Sequence, residues 1–210
     1  MSRIKYKKGL TLVELLVTIG IATVLLAITL FDYGTFNDKV ALSSAGQEMA
    51  IAIKQAQIYG LSVKEVGIGT GNFNSAYGIY FNPGCNSGVY YVFADTNSNK
   101  KFDVGAGGGG CGTPDTAGEL VEKFTLRNNV TISAICNVQS GTTTCPPSAA
   151  VRSMHVTFLR PNPDALINFA NNGGSILFAS EFTGKVRLTS PKGLKTQDIV
   201  IENTGQISLQ

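Results

Sequence analysis

The chain opens with an apolar stretch that has the length of a membrane-crossing helix. Residues 10–31 contain a single charged side chain, Glu14. An α-helix rises about 1.5 Å per residue, so this run can cross a hydrocarbon core of about 30 Å. The pattern therefore predicts a transmembrane or assembly helix over residues 10–31.

Residues 32–60 carry apolar side chains at steps of three and four, the period of an amphipathic helix. Polar residues such as Glu48 and Lys54 lie between them, and Gly60 is a suitable stop. We expect the helix to continue here as an amphipathic stem that packs on the chain's own sheet rather than on a partner. The apolar stripe comprises Leu42, Ala45, Met49, Ala52, Ile53, Ala56 and Tyr59.

Residues 61–210 alternate short segments rich in β-branched and aromatic residues with turns that contain Gly, Asn, Pro or Ser. This pattern indicates antiparallel strands. Residues 154–159 alternate as a strand with one buried face would. The predicted fold class is α+β, with a long amino-terminal helix packed on a β-rich head. The predicted strands are 77–81, 89–94, 123–127, 130–135, 154–159, 166–170, 175–179, 185–189 and 198–201.

The positive charge of the chain is concentrated at its start. The net charge is +3, from 17 basic and 14 acidic residues. Residues 1–9 contain Arg3, Lys5, Lys7 and Lys8, which leaves 13 basic against 14 acidic residues for the remainder. By the positive-inside rule the amino terminus lies in the cytoplasm and the body outside. No direct nucleic-acid site is expected in the body.

The apolar run with its leading basic cluster fits neither of two common export segments. A cleavable secretory signal has an apolar region of about 7–15 residues, which is shorter than this one. An ordinary signal anchor has the right length but gives no reason for Glu14, since an acidic group inside such a segment costs about 2.5–3.5 kcal/mol. The carboxylate therefore needs a function.

A family resemblance supplies a function for Glu14. The segment around it resembles the processing site of type IV prepilins and the related pseudopilins, and it reads Lys7-Lys8-Gly9-Leu10-Thr11-Leu12-Val13-Glu14-Leu15-Leu16. The resemblance implies that a prepilin peptidase cuts between Gly9 and Leu10 and methylates the new amino terminus at Leu10. It also implies that Glu14, the fifth mature residue, contacts the Leu10 amine of a neighbouring subunit. Many members of the family have phenylalanine after the cut and a proline about twenty residues later. This chain has neither, although Gly34 could weaken the helix.

The resemblance also implies the organisation and the partners of the protein. Residues 1–9 would be a leader peptide, residues 10–31 the assembly helix, 32–60 the stem and 61–210 a globular pilin head. The partners would be the prepilin peptidase, other pilins or pseudopilins, an inner-membrane assembly platform and, before assembly, the lipid bilayer. A stem helix followed by strands, with the patterns at 77–79 and 90–95, is similar to the minor pilin or minor pseudopilin branch.

We therefore expect a structural subunit of a type IV pilus or of a related type II secretion or DNA-uptake filament. It would lie in the inner or cytoplasmic membrane and then in an envelope or surface filament. The alternative is a membrane-anchored exported binding domain or adhesin that keeps its leader. The sequence has no Gly-x-Ser-x-Gly, no metal-binding histidine pair and no carboxylate dyad, so no enzyme is expected. His155, the single histidine, lies in a strand pattern and is interpreted as structural.

Four cysteines in an exported body favour two disulfides. Three connectivities are possible, and we expect local pairing. Cys136 with Cys145 would close a short loop rich in Ser, Thr and Gly, and Cys85 with Cys111 would bracket a glycine-rich excursion. A zinc site would need Cys-x-x-Cys spacing or nearby histidines.

Residues 95–103 carry the strongest chemical motif of the body, in the register of a calcium loop. Asp95, Asn97, Asn99 and Asp103 place oxygen-bearing side chains at positions one, three, five and nine, and Lys101 would bind through its backbone carbonyl. Against calcium, a lysine stands where glycine makes the sharp turn, and an alanine stands where a bidentate Glu would close the site. An Asn/Asp/Ser turn between two strands explains the same residues. No other cofactor is expected.

Overall fold

The structure is a computed structural model that describes residues 9–62, 64–66, 71, 73–104, 118–139, 141–145, 151–171, 174–179 and 183–210. A single helix, α1, covers Leu12–Leu61. It includes both the apolar and the amphipathic segments and passes through Gly34 without a break. The chain divides into two compact units, Met1–Asp38 and Lys39–Gln210.

The described part of Lys39–Gln210 contains the end of α1 and two antiparallel sheets. The strands are β1 (Ala76–Phe81), β2 (Val89–Asp95), β3 (Leu120–Thr125), β4 (Thr131–Gln139), β5 (Thr142–Thr144), β6 (Ser153–Phe158), β7 (Ala165–Ala170), β8 (Ile176–Ala179), β9 (Thr183–Thr189), β10 (Thr196–Ile201) and β11 (Ile207–Leu209). A six-stranded sheet has the order β3-β2-β1-β6-β7-β8, and a five-stranded sheet has the order β11-β10-β9-β4-β5. The predicted α+β class is therefore confirmed.

The stem half of α1 forms part of the main core. Its buried apolar side chains pack in one cluster with residues of both sheets, such as Ile79, Phe169 and Ile199. Glu48 and Lys54 on the opposite side are exposed. The interpretation that the stripe packs on the chain's own sheets is confirmed, and each large apolar side chain buried here contributes about 1.5–3 kcal/mol. The buried stem residues are Ala41, Leu42, Ala45, Met49, Ala52, Ile53 and Ala56.

Strand β6 is buried on both faces, which corrects the prediction of a single buried face. His155 and Thr157, expected to point outward, are each 2% exposed. The outer face of the sheet is covered by a second apolar cluster of Tyr80, Phe93 and Phe102. Phe102 belongs to the segment that follows β2, so this segment shields β6 from solvent.

One of the two expected disulfides lies within the described residues. Cys136 of β4 is bonded to Cys145, just after β5, in agreement with the expected local pairing. Cys85 lies in the turn after β1 and is not a free thiol. Cys111 lies outside the described residues, so its pairing with Cys85 stays a prediction.

Candidate functional site

Residues 95–103 begin at the last residue of β2 and fold into a series of turns closed by side-chain oxygens. The two carboxylate oxygens of Asp95 accept hydrogen bonds from the backbone N–H groups of Asn99, at 3.0 Å, and Lys100, at 2.8 Å. Asn97 accepts from the Asn99 N–H, and Asn99 accepts from the Lys101 N–H. Lys100 adopts a φ of 61°, the left-handed conformation that glycine usually supplies at a sharp turn.

Asp103 closes the far end of this loop. Its Oδ2 accepts hydrogen bonds from the side-chain amides of Asn97, at 2.6 Å, and Asn99, at 2.8 Å. Lys101 Nζ lies 3.3 Å from its Oδ1. Burial alone would raise the pKa of Asp103, but the hydrogen bonds from the two asparagines and the charge of Lys101 together lower it. The structure therefore brings all five residues of the predicted set into one loop.

Glu119, which directly precedes β3, belongs to the same constellation and was not predicted from the sequence. It is fully buried. Its Oε1 accepts from the N–H and hydroxyl of Thr96, both at 3.3 Å, and its Oε2 accepts from the Asp103 N–H at 2.9 Å. Burial raises the pKa of Glu119, with Asp103 and Asp95 adding to the rise while the backbone hydrogen bonds oppose it.

Glu119 lies sixteen residues beyond Asp103 in the sequence, far outside the register of a calcium loop. No motif in the sequence links Glu119 to the loop, since it is one acidic residue before the mostly exposed strand β3. The register points instead to Ala106 for the closing ligand, and Ala106 lies outside the described residues.

The loop is attached to the outer face of the six-stranded sheet by two buried polar side chains. The Phe102 N–H donates to His155 Nδ1 at 2.9 Å, and the amide nitrogen of Asn168 donates to the Lys100 carbonyl oxygen at 2.8 Å. Because His155 Nδ1 accepts, the neutral imidazole carries its proton on Nε2, which lies 3.3 Å from the Ser153 hydroxyl. His155 thus has the structural role that the sequence indicated.

The stability of the fold should depend on pH through His155, the only histidine of the chain. Burial first, and then the charge of Lys101, lower the pKa of His155 to about 3. The unfolded state therefore binds the proton first as the pH falls, and stability is lost progressively between about pH 6.5 and pH 3.

Between pH 7 and pH 5, we expect this titration to lower the free energy of unfolding by about 2 kcal/mol. Denaturant unfolding of the full chain in detergent at the two pH values measures the change. The raised pKa of Glu119 has the opposite effect, because it makes the fold more stable as the pH falls. The loss of stability due to His155 should therefore be larger in a Glu119→Gln background. If stability in that background were equal at both pH values, His155 would not be held neutral by burial.

Within the described ranges, no group of three or more His, Cys, Asp or Glu side chains is close enough to hold a metal ion by itself. A cation in the loop would therefore need amide and backbone oxygens as well, which Ca²⁺ accepts readily. The turn interpretation describes the loop as it stands, and calcium stays a prediction.

At the other end of the chain, Gly9 and Leu10 form an open segment directly before α1. A side-chain carbon at Gly9 would meet no atom within 4 Å. Leu10 is 68% exposed. Both sides of the predicted cleavage bond are therefore accessible in the isolated chain.

Thr11 caps the amino terminus of α1. Its hydroxyl oxygen accepts a hydrogen bond from the Glu14 N–H at 3.2 Å. Thr11 and Glu14 have the spacing of a capping box, in which an acidic residue at the third helical position supports the first turn. Glu14 is also the acidic residue of the first turn, where a negative charge is favourable at a helix amino terminus.

The apolar half of α1 is exposed at the residues from 12 to 29. Leu12–Thr29 is long and apolar enough to cross a membrane by length and composition, and none of it is buried. Its threonine hydroxyls are satisfied within the helix: Thr18, Thr23 and Thr29 each donate to a backbone carbonyl one turn earlier, at 2.9 Å. Glu14 is left as the single charged side chain of this segment.

The exposed apolar segment of α1 fits a membrane-anchoring element. Residues 4–30 match the family model described as "Prokaryotic N-terminal methylation motif", the prepilin-type cleavage and methylation motif. The chain is therefore prepilin-like, consistent with the type IV pilin and pseudopilin family. No curated protein and no solved structure matched the chain.

Proposed function

We propose that the chain is a structural subunit of a type IV pilus or of a related type II secretion or DNA-uptake filament, as a minor pilin or minor pseudopilin. The prepilin peptidase cuts between Gly9 and Leu10 and methylates Leu10. The protein takes part in this reaction as a substrate rather than as an enzyme. The apolar half of α1 then packs against the helices of other subunits.

The observation that carries the proposal is the position of the methylation motif on the helix. The motif covers residues 4–30, and α1 begins at Leu12 and ends only at Leu61. Cleavage after Gly9 would therefore remove the leader and leave the whole helix attached. Its amphipathic end packs in the core of the head through side chains such as Met49 and Ile53.

The charge pattern and the cysteines support the location that this function requires. The basic leader favours an amino terminus in the cytoplasm, where the peptidase acts, with the head outside. The Cys136–Cys145 disulfide fits an oxidising compartment. Before assembly the subunit would stay in the inner or cytoplasmic membrane, in reach of the assembly platform and of other pilins or pseudopilins.

Co-expression with a prepilin peptidase tests the proposal. The wild-type chain should lose its nine-residue leader, which shortens it on a gel. Gly9→Ala should stay at full length, because the added side chain occupies the cleavage position. Gly20→Ala is the matched control, since this glycine also has no atom within 4 Å of an added side-chain carbon but lies inside the helix.

The control variant should be cleaved like the wild type. A wild-type chain that keeps its leader in the presence of an active peptidase would favour the membrane-anchored binding domain or adhesin. Cleavage of Gly9→Ala as fast as the wild type would place the cut elsewhere.

A further inference from the structure

The hairpin turn between β9 and β10, residues 190–195, presents an exposed apolar side chain between two lysines. Leu194 is 72% exposed, the largest exposed fraction among the large apolar side chains in the described part of Lys39–Gln210. Lys192 and Lys195 on either side of it are exposed as well. A leucine between two lysines is suited to a surface that is both apolar and negatively charged, such as a membrane interface.

This hairpin tip is closed by its own hydrogen bonds. The Ser190 N–H donates to the Lys195 carbonyl oxygen at 2.9 Å, and the Gly193 N–H donates to the Ser190 carbonyl oxygen at 2.8 Å. The Ser190 hydroxyl oxygen also accepts from the Lys195 N–H at 3.1 Å. The exposure of Leu194 is therefore a property of an ordered turn of the folded head.

The charge at the hairpin tip is positive and unpaired. Lys192 and Lys195 form no ion pair within the residues that the structure describes. Asp198, the nearest acid in the sequence, is bonded to Arg187 at 2.8 Å instead. Arg127 adds a positive charge at the same end of the five-stranded sheet, because it is exposed in the turn that leads into β4, the neighbour of β9. The tip can thus attract an anionic partner.

The hairpin tip lies at the end of the head where the stem begins. Gln197, just after the tip, lies against Gly46 of the stem, since a side-chain carbon added at Gly46 would meet its Oε1 at 2.6 Å. Gly205, beyond the other end of β10, accepts a hydrogen bond from Gln57. Strand β10 therefore follows the stem from its amino-terminal part to its carboxyl-terminal part, and the tip precedes β10.

A bilayer that holds the apolar part of α1 is within reach of this end of the head. The candidate membrane span ends at Thr29, and the head begins ten residues later, at Lys39. Ten residues cover at most about 36 Å, even when fully extended. The hairpin tip is therefore tethered near the membrane surface, which raises its effective concentration there.

We propose that the hairpin tip binds the anionic lipid headgroups of the membrane before assembly. Lys192 and Lys195 pair with the lipid phosphates, and Leu194 enters the headgroup region. Each lysine near an anionic surface strengthens binding about fivefold. An acidic protein or a nucleic acid could pair with the lysines, but only a bilayer offers the exposed leucine an apolar layer beneath the charge. The contact rests on membrane insertion of α1, which the filament subunit and the anchored binding domain both require, and it needs no cleavage after Gly9.

The test uses tryptophan as a reporter, because the chain contains none. Leu194→Trp places one at the hairpin tip. Leu159→Trp is the matched control at another exposed leucine, next to Phe158, whose carbonyl oxygen lies against Gly60 at the far end of the stem. The full chain is inserted into nanodiscs of brominated phosphatidylcholine, with or without about 30% phosphatidylglycerol. In the anionic discs, we expect Leu194→Trp to emit at shorter wavelength and to be quenched by the bromine atoms.

Two pairs of charge variants, made in the Leu194→Trp chain, test the lysines. Lys192→Gln with Lys195→Gln should weaken the lipid contact by on the order of 25-fold. Salt at about 1 M, where the Debye length is about 3 Å, should weaken it too. Lys100→Gln with Lys123→Gln removes two exposed lysines elsewhere on the head and should leave the emission and the quenching unchanged.

Equal spectra of Leu194→Trp in the two kinds of disc would overturn the proposal and leave the filament proposal standing. A chain that does not enter the discs at all would overturn both. An equal shift for Leu159→Trp would also overturn it, because tryptophan itself, and not the hairpin tip, would then seek the membrane. If a DNA duplex shifted the emission of Leu194→Trp and anionic discs did not, the hairpin tip would bind nucleic acid instead.

Discussion

Replacing Glu14 by glutamine is expected to leave cleavage after Gly9 intact and to reduce filament assembly at least tenfold. Its carboxylate is the one charge of the apolar helix, and the Leu10 ammonium of a neighbouring subunit is its proposed partner. Removing one member of a buried ion pair costs about 3–5 kcal/mol, because the other charge is left unpaired. The measurement is the amount of subunit in sheared filaments relative to the processed subunit in the membrane.

Two further variants separate the ion pair from the local role of Glu14. Glutamine can still serve at the third position of a capping box, so Glu14→Gln removes the charge and keeps the cap. Thr11→Ala removes the cap that holds the Glu14 N–H, at a cost of about 1 kcal/mol, and keeps the charge. Glu48→Gln removes an exposed charge elsewhere on α1.

Glu48→Gln should assemble within about twofold of the wild type, because exposed substitutions have small effects. Thr11→Ala should lose much less assembly than Glu14→Gln. If Thr11→Ala reduced assembly as much as Glu14→Gln, helix capping rather than the charge would explain the requirement for Glu14. If Glu14→Gln assembled normally, the proposed pair with the Leu10 amine would be wrong.

The largest effect on folding of the head is expected for Gly205→Ala, in the turn between β10 and β11. Gly205 has a φ of +80°, where an L-residue with a side chain is strained. An added side-chain carbon would also overlap the Pro163 carbonyl oxygen and the Gln57 amide. Gln57 donates to the carbonyl oxygens of Pro163, at 3.0 Å, and Gly205, at 3.2 Å, so the clash would disturb a buried junction between stem and head.

We expect Gly205→Ala to lower the free energy of unfolding by about 2–5 kcal/mol. Backbone strain would account for about 1–2 kcal/mol of this and overpacking for about 1–3 kcal/mol. Gly193→Ala should lose only the part of the stability that comes from backbone strain. Gly193 has a φ of +72°, but no atom lies within 4 Å of the added carbon. Gly88→Ala should be nearly neutral, because its nearest contact is an ordinary 3.6 Å. Thermal unfolding of the three variants in detergent measures this order. Equal Tm values for Gly205→Ala and Gly193→Ala would show that the junction tolerates the side chain.

Much of the fold could be predicted because its periodicities are regular. The stem positions from Leu42 to Ala56 that were assigned to the apolar stripe are the ones that the helix buries. Nine segments rich in β-branched and aromatic residues correspond to nine of the strands. Two strands were missed: β5, Thr142–Thr144, and β11, Ile207–Leu209, have three residues each. Segments this short show too little alternation to be recognised.

The errors have a common physical cause, which is burial imposed from outside the element. His155 and Thr157 look solvent-facing in the sequence, and only the packing of Phe102 over β6 buries them. Glu119 joins the loop through contacts across sixteen residues of sequence, which no local motif encodes. The amino-terminal motif could be predicted from the sequence alone. A peptidase or a bilayer recognises a contiguous segment, so all of the signal lies within a few neighbouring residues. The loop of residues 95–103 could be predicted only in part, because its contacts depend on residues distant in sequence, such as Glu119 and His155.

The proposed function requires that this chain is cut between Gly9 and Leu10 and methylated on the new amino terminus. Mass spectrometry of the amino-terminal peptide, after expression with a prepilin peptidase, tests it most directly. We expect a peptide that begins at Leu10 and carries one N-methyl group. A peptide that still begins at Met1, or one that begins near Ala27, would contradict it.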